Sequence, residues 1–282
     1  MREHGLLIAP SSYYEARHRQ LSRRELRDQE LVELMTGLRE KNRFLTRFGA
    51  RKMWLHLRSK GHDVARCTIE RLYRTQGWQG AMRRRKVKPM PSDQTPRPAD
   101  RVDRGFWAAR PNRLWVADFS YVSTWCGMVY VAFVIDVFSR RILGWRAATR
   151  MTTDLVLDAF EHALWSRQQE GIPRLDGLVH HTDAGSQYVS FALTQRLVDE
   201  GVDPSVGSNH DPYDNALAES TIGLFKAELI RPDGPWRSVE HVELETLRWV
   251  DFYNTTRPHE ALEDLTPMQA EDLHYHRLKL TA

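Results

Sequence analysis

The chain has 282 residues, 41% of them hydrophobic, which is enough for one large domain or two smaller ones. It contains no apolar run long enough for a transmembrane helix, and the apolar stretch near its start is too short for a signal peptide. Its two cysteines, Cys67 and Cys126, form no CxxC pair, so neither a zinc ribbon nor a disulfide framework is expected. These features predict a cytoplasmic protein with no membrane partner.

The net charge of +4 is the sum of two oppositely charged parts. Residues 1–105 contain 25 basic and 12 acidic side chains, a net of +13, whereas the remainder contains 16 and 25, a net of −9. A basic N-terminal part indicates a polyanionic partner, most simply nucleic acid. The alternative is that its basic helices are merely solvated.

The basic part is predicted to be helical. Residues 21–47 alternate charged and apolar residues at helical spacing, and two shorter helices follow, ending at Gly61 and near Gly77. Two short helices joined by a glycine-containing turn suggest a helix-turn-helix, although a plain helical packing module has the same pattern. The predicted buried stripe of the first helix is Leu26, Leu31, Leu34 and Leu38.

The second short helix and the segment after it are predicted to contact DNA. The apolar side of that helix is predicted to be Ile69, Leu72 and Tyr73. Residues 83–105, rich in basic residues and proline, are predicted to form an extended linker whose first residues follow a phosphate backbone. The predicted DNA-contact residues are Arg66, Arg71, Arg74, Arg83, Arg84, Arg85 and Lys86.

From residue 113 the pattern changes to β-strands. Three strands within residues 113–149 are close enough in sequence to form an antiparallel meander. A helix, a strand, a second helix, a short strand and a long helix over residues 213–230 follow. This order predicts an α/β fold with a mixed five-stranded sheet and helices on both faces. The tail from residue 236 is predicted to contain one long helix and a last short helix.

Two aspartates occupy costly positions in this predicted sheet. Asp118 lies in the middle of the apolar strand LWVADFSYV, and Asp183 ends the strand GLVHHTD. A buried carboxylate is unfavourable unless something pairs with it. The two acids would lie together if the first and fourth strands are neighbours. A third acid, Glu219, follows Asp183 with 35 residues between them and lies on the long helix.

The long helix carries a polar stripe around Glu219. At about 100° per residue, Asn215 lies roughly 40° and Lys226 about 20° away from Glu219, with Gly223 close to the same face. Glu228 points to roughly the opposite face. An amide, a carboxylate and an ammonium group on one face suit contact with metal and phosphate.

Three converging carboxylates need a counter-charge, because they cannot all stay ionised without one. Mg²⁺ and Mn²⁺ prefer oxygen ligands, and two such ions about 4 Å apart can activate an attacking hydroxyl and stabilise a leaving oxygen. The predicted reaction is phosphodiester cleavage or strand transfer, which needs no side-chain nucleophile and so suits the absence of a G-x-S-x-G or Cys/His arrangement. Alternatively, each acid is a helix cap or an ion-pair partner.

The segments WVADFSYV, HHTDAGSQYVS and YDNALAESTIGLFKAEL resemble the three signatures of DDE transposases of the IS-three insertion-sequence family, relatives of retroviral integrases. DFYNTTRPHEALEDLTPMQ resembles that family's C-terminal segment, and RFGARKMWLHLRSKG its helix-turn-helix-like region. The resemblance implies an RNase H-like fold in which Asp118, Asp183 and Glu219 bind two Mg²⁺ or Mn²⁺ ions. It also implies that Lys226 contacts transposon-end DNA and that Asn215 lies beside the active site.

The same resemblance implies partners and a domain plan. The partners are the terminal inverted repeats, target DNA, at least one more protomer, and a first-frame product or a frameshift fusion with it, on the bacterial nucleoid. A nuclease of the same fold and a DNA-binding regulator with an inert core remain alternatives. The predicted parts are a helical region at 1–82, the linker at 83–105, the catalytic core at 106–235 and a C-terminal helical segment at 236–282.

Several other residues are predicted to be structural. His180 is expected to be a core residue, and Asp136 is expected to cap the turn to Ser139. Arg257 and His259 are expected to anchor the tail on the core. Four tryptophans are predicted to pack in the core or at its edge and not to stack on bases: Trp107, Trp115, Trp125 and Trp145.

Overall fold

The computed structural model describes residues 11, 14, 19–82, 107–172, 174–182, 191–206 and 216–281.

Within residues 19–82, three helices form the described part of the N-terminal helical region. The first begins with a reciprocal cap, in which the backbone N–H of Glu25 donates to Ser22 Oγ and the N–H of Ser22 donates to the Glu25 carboxylate. A 3₁₀ turn links the first helix to the second, and glycines with positive φ, Gly61 and Gly77, follow the second and third helices. The elements are α1 (Arg23–Lys41), the 3₁₀ turn (Arg43–Arg47), α2 (Ala50–Ser59) and α3 (Arg66–Thr75).

The buried stripe of α1 differs from the predicted one. Leu31 is buried as expected, but Leu26 is 47% exposed, and Met35 is fully buried in its place. The reason is helical geometry: Leu26 is turned by about 140° from Leu31, whereas Met35 is turned by only about 40°. The predicted apolar side of α3 is confirmed, and the residues buried there are Ile69, Leu72 and Tyr73.

A mixed five-stranded sheet forms the centre of the fold, as predicted. The strand order is β3-β2-β1-β4-β5, with β1, β2 and β3 antiparallel and with β4 parallel to both β1 and β5. The first and fourth strands are therefore neighbours. The strands are β1 (Leu114–Thr124), β2 (Gly127–Asp136), β3 (Ile142–Ala148), β4 (Val179–Thr182) and β5 (Asp203–Val206).

One face of the sheet is covered by α4 (Thr153–Gln169) and α5 (Phe191–Asp199). Alternate residues of β1, Trp115 and Ala117, point into this apolar cluster. Gly144 on β3 lets α4 approach closely, since a Cβ there would lie 2.1 Å from the carbonyl oxygen of Ala159. We call this side the α4 face.

The opposite face is covered by the helical region and by two long helices, and we call it the α6 face. The phenyl rings of Phe44 and Phe48 lie 5.0 and 5.5 Å from that of Phe252, so the helical region shares one apolar cluster with the core helices. The elements here are α6 (Ala216–Phe225), a π-helical turn (Lys226–Ile230), one further α turn (Arg231–Asp233), α7 (Val239–Thr255) and α8 (Pro267–Thr281).

Two predicted helices differ from the observed ones. The long helix does not continue as a regular α-helix to residue 230, because it widens into a π-helical turn at Lys226. Residues 213–215 of that prediction lie outside the described residues. The last helix, predicted to be short, is the 15-residue α8.

A buried ionic network holds α8 on the core. The carboxylate of Asp136 accepts hydrogen bonds from the backbone N–H groups of Ser139 and Asn112 at 2.8 and 2.7 Å, which confirms the predicted cap. Arg167 on α4 forms an ion pair with Glu271 on α8 at 2.6 Å. Burial raises the pKa of Asp136, and the nearby Glu271 carboxylate raises it further. Through Glu271, which also accepts a hydrogen bond from Ser139 Oγ at 2.7 Å, the network joins α8 to α4 and to the turn after β2.

Candidate active site

Asp118 lies where the parallel pairing of the first strand ends. The register pairs Ala117 of β1 with Thr182 of β4, the residues that immediately precede Asp118 and Asp183 in the sequence. The Asp118 side chain is half-buried, and its Oδ1 accepts a hydrogen bond of 2.8 Å from the N–H of Phe119. Asp183 lies outside the described residues.

Glu219 lies on the exposed side of α6. A neighbouring side of this helix is buried through Ala218, Ile222 and Phe225, which join the same apolar cluster as Val116 of β1. Because side chains alternate along a strand, Asp118 points to the same face of the sheet as Val116. The fold therefore brings two of the three predicted acids to the α6 face. Among the residues that the structure describes, no three potential metal ligands form a group.

Lys226 is held over β1. Its Nζ lies 4.2 Å from the centre of the Tyr121 ring, which is three residues beyond Asp118 and 57% exposed. A cation over an aromatic face is stabilised electrostatically. The predicted phosphate-binding lysine is thus anchored on the strand that carries Asp118. The predicted neighbour Asn215 lies outside the described residues.

The tip of the β1–β2 hairpin exposes an aromatic residue. Trp125 is 69% exposed, and the guanidinium of Arg237 lies 5.9 Å from its ring. Trp107 is also exposed, so the predicted packing is wrong for these two tryptophans. It is confirmed for Trp115 and Trp145, which are buried. Sequence spacing alone did not distinguish the exposed tryptophans from the buried ones. For Trp125 the reason is that the hairpin tip extends beyond the apolar clusters.

The two histidines before Asp183 are buried. The ring of His180 packs edge-on against Phe160 at 5.3 Å, and neither of its ring nitrogens has a hydrogen-bond partner among the residues described. Burial lowers the pKa of His180 to about 3, so the ring is neutral near pH 7. His181 Nδ1 lies 2.9 Å from Ser205 Oγ. These contacts support the predicted structural role of His180.

Two of the three predicted DNA-contact arginines on α3 form ion pairs within the protein. Arg71 Nη2 binds both carboxylate oxygens of Asp28 on α1, at 2.7 and 2.9 Å, and this contact braces α3 against α1. Arg66 pairs with Glu70 at 2.7 Å, one turn along α3, and Arg74 is exposed. Four further predicted contacts lie outside the described residues: Arg83, Arg84, Arg85 and Lys86.

A buried ion pair joins the C-terminal segment to the π-helical turn, and the sequence did not reveal it. Arg257 Nε lies 2.9 and 3.1 Å from the carboxylate oxygens of Glu228, and both side chains are almost fully buried. The ring of His259 packs against Tyr253 at 4.6 Å. Arg257 and His259 therefore anchor the tail, as predicted. The only available signal for Glu228 was its predicted position opposite Glu219.

Three segments of the chain match known domain families. Residues 25–86 match an HTH-like domain, residues 108–212 match an integrase core domain, and residues 200–267 match a second integrase core domain family. The first match covers the helical region, and the other two cover the sheet, α6 and α7.

Bacterial relatives extend the match over nearly the whole chain. A Mycobacterium tuberculosis protein named as a transposase for insertion sequence element IS986/IS6110 is 51% identical over 269 residues, which cover 95% of this chain and 96% of the relative. The Shigella sonnei transposase for insertion sequence element IS629 is 47% identical over 275 residues, which cover 96% and 90%. The chain belongs to the IS3 family of insertion-sequence transposases.

This transposase is a member of the DDE superfamily, as its three signatures predicted. Its integrase core supports polynucleotidyl transfer, and the family binds DNA. A solved structure of the simian T-cell lymphotropic virus intasome in complex with PP2A regulatory subunit B56 gamma matches with a TM-score of 0.48 and 16% identity, covering 84% of this chain and 74% of that one. In the parts of the chain that the structure describes, no helix has the length and apolar character needed to cross a membrane.

Proposed function

We propose that this transposase cuts DNA at the ends of its insertion sequence and joins those ends to target DNA, with Asp118, Asp183 and Glu219 as its metal ligands. The observation that carries the proposal is the shared position of Asp118 and the Glu219 helix on the α6 face. The strand pairing, which runs up to the residue before each aspartate, supports including Asp183.

The donor set fits Mg²⁺ or Mn²⁺, because it consists only of carboxylate oxygens. Two bound ions would supply activation of the attacking hydroxyl and charge stabilisation at the leaving oxygen. The backbone N–H of Phe119 orients the Asp118 carboxylate. The exposed carboxylate of Glu219 faces solvent, where a metal and DNA can reach it.

Lys226 is proposed to bind a phosphate of the transposon end. Its ammonium group lies above the exposed Tyr121 ring, beside the strand that carries Asp118. Asn215, four residues before Glu219 in the sequence, is proposed to lie beside the same DNA.

The helical region, residues 1–82, is proposed to bind DNA, and residues 83–105 to link it to a catalytic core at 106–235 that is buttressed by residues 236–282. Within the helical region, Arg66 and Arg74 are proposed to contact DNA, whereas Arg71 holds α3 in place through its ion pair with Asp28. Arg83, Arg84, Arg85 and Lys86 are proposed to follow the phosphate backbone. The active form is proposed to contain at least two protomers and a first-frame product or fusion.

The test is cleavage of labelled DNA that carries the element's ends, in Mg²⁺, by wild type and Glu219→Gln, each alone and fused to the upstream frame. Asp272→Asn, an exposed acid on α8, is the matched control. We expect end-specific cutting and joining by wild type and the control, and neither by Glu219→Gln.

Other outcomes identify the alternative functions. Cutting without joining would indicate a nuclease. DNA binding without metal-dependent products in any form would indicate a regulator with an inert core. Strong cutting by Glu219→Gln would refute the proposed site.

A further inference from the structure

The helix that carries Glu219 widens at Lys226. Residues Lys226–Ile230 form a π-helical turn, and the α-helical pattern resumes for one turn after it. Such turns are rare and are often found at functional sites. The widened turn directs Glu228 into the protein, where only 4% of its side chain is exposed.

Two side chains of the core, Arg257 and Trp249, hold the Glu228 carboxylate. Arg257 donates to both carboxylate oxygens, and Trp249 Nε1 donates to Oε2 at 3.3 Å. Arg257 Nη2 also lies 2.9 Å from Oε1. A buried ion pair is unfavourable without such hydrogen bonds, so this pair is well suited to fix one geometry.

The helical region grips the same turn. Arg47 Nε donates to the backbone carbonyl of Glu228 at 3.2 Å, and the Arg47 guanidinium also pairs with Asp233 at the end of this helix. Lys52 Nζ on α2 lies 3.9 Å from Glu228 Oε1. Burial, and then the positive charge of Arg257, lower the pKa of Lys52 to about 8. The folded protein therefore holds Lys52 in its charged form near pH 7 at a cost in the free energy of folding.

A second chain of contacts reaches α6 near Glu219. The guanidinium of Arg257 lies 5.9 Å from the centre of the Tyr253 ring, and the Tyr253 hydroxyl lies 3.4 Å from Thr221 Oγ1. Thr221 follows Glu219 by two residues, just as Glu228 follows Lys226 by two residues. The core thus holds the buried side of this helix at one point behind the exposed Glu219 and at one point behind the half-buried Lys226.

We propose that Glu228 and Arg257 form a positioning pair that couples the helical region to the catalytic helix. The pair sets the orientation of Glu219 and Lys226. Arg47 and Lys52 connect the pair to the helical region, so that the position of this region on DNA affects the geometry of the pair. These four are positioning residues, because they act through the helix. This inference rests on the function proposed above for Glu219 and Lys226.

The chain offers a matched pair of arginines for the test. Arg47 and Arg51 both extend from the helical region to the core, but Arg51 binds the Asp264 carboxylate, at 2.8 and 2.7 Å, in the loop before α8 and not on the catalytic helix. Arg47→Gln and Arg51→Gln each remove one such charge. The measurements are the dissociation constant for end DNA and the single-turnover cleavage rate of bound DNA.

We expect Arg47→Gln to slow the cleavage of bound DNA about tenfold or more, since small displacements of reacting groups have large kinetic effects. Its dissociation constant for DNA should stay within about twofold of wild type. Arg51→Gln should leave both quantities within about twofold. Equal cleavage rates for the two variants would overturn the inference.

A triple variant separates positioning from stability. Lys52→Met, Glu228→Met and Arg257→Met together remove the Glu228–Arg257 pair and the neighbouring Lys52 charge, while Arg47 keeps its partner Asp233, so none of these ions is left buried without a partner. We expect the triple variant to unfold near the wild-type temperature and yet cleave bound DNA about tenfold more slowly or worse. A wild-type cleavage rate in the folded triple variant would overturn the inference. If the triple variant does not fold, the comparison of Arg47 with Arg51 decides.

Glu219→Gln in the same assay distinguishes the two proposals. If it cleaves like wild type, the proposed active site fails. If it is inactive while Arg47→Gln cleaves like wild type, only the positioning inference fails.

Discussion

The two faces of the sheet are covered in different ways. On the α4 face, the helices bury mostly apolar side chains, such as Trp115 and Phe160, and the buried Arg167 of α4 pairs with Glu271 of α8 and not with the helix that carries Glu219. On the α6 face, the apolar cluster also encloses the Glu228–Arg257 ion pair, with Lys52 beside it. Both faces stabilise the sheet, but only the α6 face buries charge next to the helix that carries Glu219.

This difference indicates a division of labour. An apolar face gains stability from area removed from water, and this contribution does not depend on the direction of each contact. A buried ion pair contributes little net stability but demands one geometry, and its loss on one side leaves a charge without a partner. We therefore expect changes on the α4 face to alter stability alone, and changes on the α6 face to alter the reaction.

The largest stability effect should come from the α4 face. Leu164→Ala removes a buried side chain from α4, and we expect it to lower the free energy of unfolding by about 2–5 kcal/mol. Urea denaturation measures this loss. The cleavage rate of bound DNA, measured at a temperature where the variant is folded, should remain at the wild-type value. A rate that fell with stability would remove the distinction between the two faces.

A smaller effect is expected for the lysine above β1. Lys226→Met should weaken binding to end DNA by about tenfold and make binding less dependent on salt, because one phosphate contact is lost. Titrations at several salt concentrations measure both. Lys279→Met on α8 is the control, since it removes the same charge from an exposed position that is distant in sequence from Lys226. An unchanged salt dependence for Lys226→Met would place Lys226 outside the DNA contact.

Much of the α6 face could be predicted from the sequence, because alternation and helical spacing are local signals. Asp118 in an apolar strand and Glu219 on a helix were found in this way. The condition under which Asp118 and Asp183 were expected to lie together is met, because the first and fourth strands are neighbours. Leu26 was misassigned, although its rotation of about 140° from Leu31 is itself a local signal.

The π-helical turn could not be predicted, because its cause is not local. The sequence of Lys226–Ile230 is typical of an ordinary α-helix. In the structure, Glu228 in this turn is contacted by Arg47, 181 positions earlier in the chain, and by Arg257, 29 positions later. The Asp28 partner of Arg71 was missed for the same reason, since the two residues are 43 positions apart. Spacing shows which residues can share a face, but not which distant charge will meet them.

The smallest predicted effect concerns Lys52. It tests whether the contact between Lys52 and Glu228 lowers the free energy of unfolding. The pKa of Lys52 is lowered from 10.5 to about 8, first by burial and then by Arg257, against the attraction of Glu228. Between these two pH values the unfolded chain binds a proton that the folded chain does not. The free energy of unfolding should therefore rise with pH across this window, and below pH 8 the folded chain bears the full cost.

Lys52→Met keeps most of the buried stem and removes the charge. Because the side chain is 30% exposed, we expect a gain of only about 1 kcal/mol in the free energy of unfolding at pH 7, and a flatter rise above pH 8. Urea denaturation of both proteins at pH 7 and pH 10 measures these changes. If Lys52→Met is instead less stable at pH 7, the attraction to Glu228 outweighs burial and the repulsion by Arg257. Lys52 would then be a stabilising ion-pair partner, and the α6 face would differ less from the α4 face than the buried charges indicate.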